Sequence, residues 1–218
     1  MPFDAALTSE AELREIYPRP ARPSVEKEVD RLDEHCRAFI AHSTLVVVAT
    51  ADARGGCDVS PKGGPPGFVK VLDEHRLAIP DLSGNNRLDS LGNLTERAGI
   101  ALLFCIPGLD ETLRVNGRAT ITADPAVLEA CTVEAHRITP RTAIGVDVET
   151  AFIHCAKALR RGGVWQPDTW PDRSGMPSIA CILRDHYGQP DLDLEAVERR
   201  LDESYSTRMW LPGGEPTT

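Results

Sequence analysis

The residues best suited to chemistry lie in one stretch, positions 77–94, which reads LAIPDLSGNNRLDSLGNL. A short apolar strand ending at Pro80 runs into the polar turn Asp81-Leu82-Ser83-Gly84-Asn85-Asn86, and that turn opens a helix whose first cation is Arg87. Free backbone N–H groups at a helix start, two side-chain amides and a guanidinium can converge on one anion, with the helix dipole's positive end behind them. Gly84 lets the backbone come close. This is chemistry for holding a phosphate ester. The same residues also suit a plain surface turn with an Asn N-cap and a solvated Arg. Against that reading, an unliganded Arg in a first helical turn faces like charge.

Three further stretches carry usable side chains. Asp58-Val59-Ser60-Pro61-Lys62 is short and polar, and its lysine is either a loop cation or a ligand for an anion. In TLRVNGRATIT (112–122), Arg114 and Asn116 share one face of a strand while Leu113, Val115, Ala119 and Ile121 share the other. Gly117 there marks a bulge or a close approach. His154 beside Cys155 invites a nucleophile–base reading, but neighbours on a strand point to opposite faces.

The elements that must position these groups follow from periodicity. Ser9-Glu10-Ala11-Glu12 has capping-box spacing and begins a helix ending before Pro18. YPRPARPS (17–24) is a proline-punctuated connector, after which Ser24 caps a helix striped by Val25, Val29, Leu32, Cys36, Phe39 and Ile40. Residues 44–50 form a β-branched strand suited to burial on both faces. A turn at 52–56 returns the chain through 57–64. Residues 68–72, 76–79, 100–106, 112–122 and 142–148 read as further strands, and 151–161 as strand leading into helix. Asp124-Pro125 starts a helix reaching about His136, and 179–187 and 192–205 read as helices. Short connections between six or seven strands predict an antiparallel sheet closing toward a barrel, mainly β with flanking helices. The expected division is a helical segment at 1–43, a barrel at 44–165 and a helical extension at 166–218.

A net charge of −9 provides no basic field for nucleic acid or anionic membrane. The six cysteines show no C-x-x-C, so no metal site is expected. The opening MPFDAALTSEAEL is acidic, so no signal peptide is expected; no apolar run approaches the length that spans a bilayer, and a reducing cytoplasm is the expected setting.

The runs VVVATADARGGCDVSPKG, LAIPDLSGNNRLDSLGNL and IALLFCIPGLDETLRVNGRATI together resemble the pyridoxamine 5′-phosphate oxidase-like family of FMN-binding split barrels, closest to its bacterial branch of FMN-dependent enzymes. The resemblance covers roughly residues 13–165. It implies an antiparallel split β-barrel and a homodimer with FMN at the subunit interface. Asn85, Asn86 and Arg87 take the phosphate-binding role, with Pro80 and Asp81 leading into the turn. Asp58, Val59, Ser60, Pro61 and Lys62 match the segment lining the isoalloxazine, where an ammonium and backbone N–H groups would stabilise charge on reduced flavin. Arg114 and Asn116 match positions near the cofactor, supplied by the same subunit or across the interface. His154, Lys157, Arg160, Arg161 and Trp165 follow in the next stretch.

The chain departs from that pattern in two places. Asn86-Arg87 stands where the oxidases carry an Arg-Lys pair, so one fixed cation has become an amide, with Lys62 and Lys157 left to compensate. The tail also has no match to the motif that holds a vitamin phosphate. The reading is therefore an FMN-dependent oxidoreductase for a small organic substrate, not a pyridoxamine phosphate oxidase. The alternative is a non-catalytic flavin or haem binder or sensor on the same scaffold; haem would look to His154 or Cys155 for an axial ligand.

Overall fold

In the computed structural model, which describes residues 4–212, seven strands form one antiparallel sheet. They are β1 (Leu45–Ala51), β2 (Cys57–Gly63), β3 (Lys70–Val71), β4 (Arg76–Pro80), β5 (Gly99–Cys105), β6 (Thr112–Thr122) and β7 (Ala143–His154), in the spatial order β2-β1-β5-β6-β7-β4-β3. The sheet wraps on itself. Val46 and Val48 of β1 share one buried cluster with Leu77 and Ile79 of β4, although three strands separate them in the ladder. Lys62 of β2 reaches Asp81, just past β4, at 3.3 Å. Among the described residues no ladder joins β2 to β3 or β4, so the barrel stays split along that seam. This is the α+β split barrel that the sequence predicts.

Alternation builds the core. Val46 and Val48 point inward from β1, Leu102 and Phe104 from β5, and Leu113 and Val115 from β6. The expectation that β1 is buried on both faces is corrected: Leu45, Val47 and Ala49 alternate with the buried residues and are only half covered, because alternate side chains of the strand point to the core and to the sheet's outer face. Gly117 sits where the β6–β7 register slips, and a Cβ there would lie 2.1 Å from the Asp147 carbonyl oxygen. It is both the bulge and the close approach.

The helices are α1 (Glu10–Ile16), α2 (Arg22–Glu26), α3 (Glu34–His42), α4 (Asp89–Glu96), α5 (Pro125–Ala130), α6 (Lys157–Arg161), α7 (Ile179–Tyr187) and α8 (Leu194–Glu203). The Ser9–Glu12 capping box forms as its spacing dictates, and Asp124 caps α5 with proline following. The single helix expected from Ser24 is broken. Val29 leaves the helical path to exchange backbone hydrogen bonds with Ala151 on the open edge of β7, and the Leu32 N–H donates to the Glu74 carbonyl. Asp33 then caps α3 through the Cys36 N–H at 2.8 Å, and Leu32, Cys36 and Ile40 plug the barrel. The helix expected to reach His136 stops at Ala130, because a Val133–Ile138 bridge folds the chain back. The 142–148 and 151–161 segments are one strand, β7, followed by α6.

Candidate active site

A cleft of ≈ 420 Å³ opens along the barrel's seam. One wall is β2, from Asp58 to Gly63; the other is the connection from Pro80 into α4, and Phe68 closes the floor. Two stretches distant in sequence thus meet: Asp58, Val59, Ser60 and Lys62 from one side, and Pro80, Asp81, Asn85, Asn86 and Arg87 from the other.

The local chain explains the second wall. β4 ends at Pro80, and the Asp81 N–H still pairs with the Thr142 carbonyl, so the turn departs from a fixed point. Asn85 accepts the Arg87 N–H through Oδ1 at 3.1 Å, a side-chain-closed turn. Asn86 and Leu88 both adopt left-handed backbone, with φ of 59° and 60°. Asn tolerates this; Leu does so at a cost of about 1–2 kcal/mol. The kink delays the helix. Arg87 was expected in its first turn, yet α4 starts at Asp89, with Leu88 at the N-cap making no side-chain cap. Arg87 therefore approaches the cleft from the turn, and Asp89 occupies the favourable anionic place at the helix start.

Every carboxylate in the cleft has a donor. Lys62 Nζ lies 3.3 Å from Asp81 Oδ1, with both side chains mostly shielded. Arg87 Nε donates to Asp89 at 2.7 Å in the open. Ser90, a buried hydroxyl on α4, donates to Asp58 at 2.6 Å and so ties the helix to β2. Two cations against three carboxylates make the cleft slightly negative. The donor set nevertheless suits a phosphate ester: an ammonium, a guanidinium, the amides of Asn85 and Asn86, and the hydroxyls of Ser60 and Ser83 line one space. Val59, Pro61, Phe68 and Leu82 supply apolar wall for a planar ring. The residues fit FMN in kind, provided that the phosphate displaces Asp81 and Asp89 from their cations.

The remaining predicted residues lie elsewhere in this chain. The Arg114 guanidinium sits 5.4 Å from the centre of the Phe152 ring. Asn116 donates to Thr150 at 3.1 Å. Lys157 is exposed at the start of α6. His154 ends β7, its ring 6.4 Å from that of Phe152. Burial foremost, then the charges of Arg114 and Lys27, holds its pKa below the ordinary histidine value. Burial pushes the Cys131 thiol up to about 11 and, with Asp33 helping, Cys36 likewise to about 11, so neither is a thiolate nucleophile. Sequence reasoning missed Phe68 and Ser90. Nothing local distinguishes them from other core and helix residues; only the β2 position across the seam gives them their role.

Arg114 and Asn116 belong to a continuous outer face. Register places Pro61, Val47, Leu103, Arg114 and Phe152 in one row across five strands, and Val59, Ala49, Ala101, Asn116 and Thr150 in the next. Each row begins at the cleft wall. Val59 is 63% exposed, and the only charge in the two rows is Arg114.

Fold and cleft define a split-barrel protein with a polar cleft at its seam. A sequence profile described as pyridoxamine 5′-phosphate oxidase matches residues 32–155, and the chain belongs to that family. Solved structures similar to it include HupZ of Group A Streptococcus, 21% identical over 56% of this chain and 92% of that one, with a TM-score of 0.46. A Clostridium acetobutylicum protein related to general stress protein 26 is 17% identical over 55% of this chain and 85% of that one, TM-score 0.41. HutZ, a heme storage protein of Vibrio cholerae, is 12% identical over 56% and 94%, TM-score 0.40. No curated protein matches the chain. Among the described residues no helix is long and apolar enough to cross a membrane, and no group of three or more His, Cys, Asp and Glu is placed to hold a metal.

Proposed function

We propose that the protein is an FMN-dependent oxidoreductase acting on a small organic substrate between two copies of the chain. The observation that carries this is the meeting of Asp58–Lys62 with Asn85–Arg87 in one cleft. Arg87, Asn85 and Asn86 hold the phosphate, with Pro80 and Asp81 fixing where the turn leaves the barrel. Lys62 and the backbone of Ser60 would line the flavin's site, where the lysine's positive charge would favour the reduced state. Pro61 and Phe68 keep water from one side of the site. A bound flavin supplies the redox chemistry, accepting a hydride or two electrons from one small molecule and passing them to another.

The outer face supports the two-copy arrangement. Its rows span β2-β1-β5-β6-β7, so β5 is the middle strand. A two-fold axis near Leu103 lays the β6–β7 end of one copy over the β2 end of the other. Arg114, Asn116 and Lys157 then serve the partner's cleft, and the second cation that Asn86 fails to provide comes from across the interface.

The test is the visible spectrum of the purified protein, followed by steady-state reduction with NAD(P)H. Flavin absorbance, release of FMN on denaturation and turnover with an acceptor are the expected results. Binding without turnover assigns a carrier or sensor role, and a Soret band overturns the flavin reading.

A further inference from the structure

The chain exposes 14,568 Å². A folded monomer of 23.8 kDa exposes about 9,900 Å² by the usual scaling with mass. The surplus of roughly 4,700 Å² exceeds what one copy contributes to an obligate dimer interface, about 1,000–2,500 Å². It is concentrated in two arms. Of the seventeen exposed large apolar side chains among the described residues, five lie before Lys27 and six after Gln166.

The two arms differ in how they are held. The C-terminal arm is fastened back to its own barrel: Trp210 stacks on His136 at 3.8 Å, and the Arg141 N–H donates to the Pro212 carbonyl. Among the described residues, the contacts that hold the N-terminal arm to the barrel lie at its root, where Lys27 Nζ donates to the Ile153 carbonyl and lies 5.3 Å from the centre of the Phe152 ring. Beyond that root α1 buries no residue. Leu13, Ile16 and Tyr17, spaced i, i+3, i+4, form one apolar face, 43%, 60% and 61% exposed. Seven residues are too few to hold a helix in water, even with a complete capping box. Tyr17 and Ala21 bracket an extended segment interrupted by Pro18 and Pro20. Such a strut is stiff and holds α1 about 15 Å out from α2. A pre-extended arm loses little entropy on reaching a neighbour.

We propose that residues 4–26 are a clasp: α1 seats its Leu13–Ile16–Tyr17 face on a second copy of this chain. A second copy is favoured over an unrelated protein because the arm's root, at Phe152, is the end of the Pro61–Phe152 row. Clasp and sheet face form one continuous surface. The inference thus rests on the pairing of copies across that face.

The experiment uses the full chain with a photo-crosslinking phenylalanine at Ile16, ¹⁴N and ¹⁵N protein being unfolded, mixed in equal parts and refolded together so that copies of both kinds pair. Cross-linked peptides of mixed isotope are expected; links within one isotope only, or none, overturn the clasp. In sedimentation equilibrium, the Leu13→Asp/Ile16→Asp double variant should raise the dimer dissociation constant at least tenfold. These side chains are exposed in the single chain, so its fold is spared. Leu103→Glu separates the two ideas. A dimer broken by Leu103→Glu, yet untouched by the arm substitutions and linked only within chains, sinks the clasp alone. A monomeric wild type sinks the clasp together with the paired-copy reading.

Discussion

Lys62 and Asp81 face each other at 3.3 Å across the seam, the one on β2 and the other just past β4, in the barrel's only charged bridge between those two walls among the described ion pairs. The pair bridges the cleft's two walls. An arriving phosphate competes with Asp81 for the ammonium, so substitutions at the two positions should act in opposite directions. Lys62→Met removes a charge-assisted contact of about 1.5–3 kcal/mol, weakening FMN binding about tenfold or more. Asp81→Asn removes the competitor and strengthens it several-fold, more at low salt. Fluorescence titration of the apoprotein with FMN checks both signs. Equal losses in the two variants would show that Asp81 holds the ligand rather than competing with it.

Arg87 is spent on Asp89 only in solvent, where such pairs add little to stability. Arg87→Ala is therefore expected to leave the melting temperature nearly unchanged while flavin is lost during purification. Full flavin occupancy in that variant places the phosphate elsewhere.

Ser90 and Asp58 set the width of the cleft, because their 2.6 Å hydrogen bond is the tie between α4 and β2. Ser90→Ala leaves a half-buried carboxylate short of its donor, at a cost of about 1–2 kcal/mol. Denaturant unfolding should show that loss, and FMN affinity should fall with it. Threonine in its place, keeping the hydroxyl, is expected to recover part of both.

Much of this was legible in the residues themselves. Capping boxes, prolines at helix starts and strict alternation are local signals, so Ser9, Asp124 and the rows of β6 declare their elements. The turn proposed to hold an anion was legible for the same reason: its amides, glycine and arginine lie within four residues of one another. What required the fold depends on distant partners. Val29 breaks a periodic helix because Ala151 offers it a strand edge, and no window around Val29 contains Ala151. The late start of α4 likewise follows from left-handed Asn86 and Leu88, a conformation that no propensity assigns to leucine. Arg114 and Asn116 were correctly placed on a common face, but alternation alone does not say that the face begins at the cleft's outer wall.

Gly117 tests the register directly. Its missing Cβ would lie 2.1 Å from the Asp147 carbonyl oxygen, an atom of the β7 backbone that cannot rotate away. Gly117→Ala should destabilise by about 3 kcal/mol as overpacking. The bulge also sets which β7 residues oppose Arg114 and Asn116. The variant is therefore expected to lose flavin affinity as well, measured by titration under conditions where it remains folded. An unchanged melting temperature would mean that β6 and β7 pair in another register.

His154 carries the pH dependence of that same end of the sheet. Burial first, then the positive charges of Arg114 and Lys27, lowers its pKa from the usual 6.5. The unfolded chain thus takes up this proton at a higher pH than the folded one. Stability is lost as the pH falls from about 6.5 toward the folded value, and the group contributes no slope well above that window. Urea unfolding at about pH 7.5 and pH 5.5 should show a larger drop for wild type than for His154→Gln, the paired carboxylates contributing alike to both. Equal drops would remove His154 from the account. The ring also reports on the proposed dimer. If Arg114 is drawn to a phosphate held by the partner, its field on the imidazole is partly neutralised. The His154 titration followed by NMR should then move upward on addition of FMN, and an unmoved midpoint would keep Arg114 out of the site.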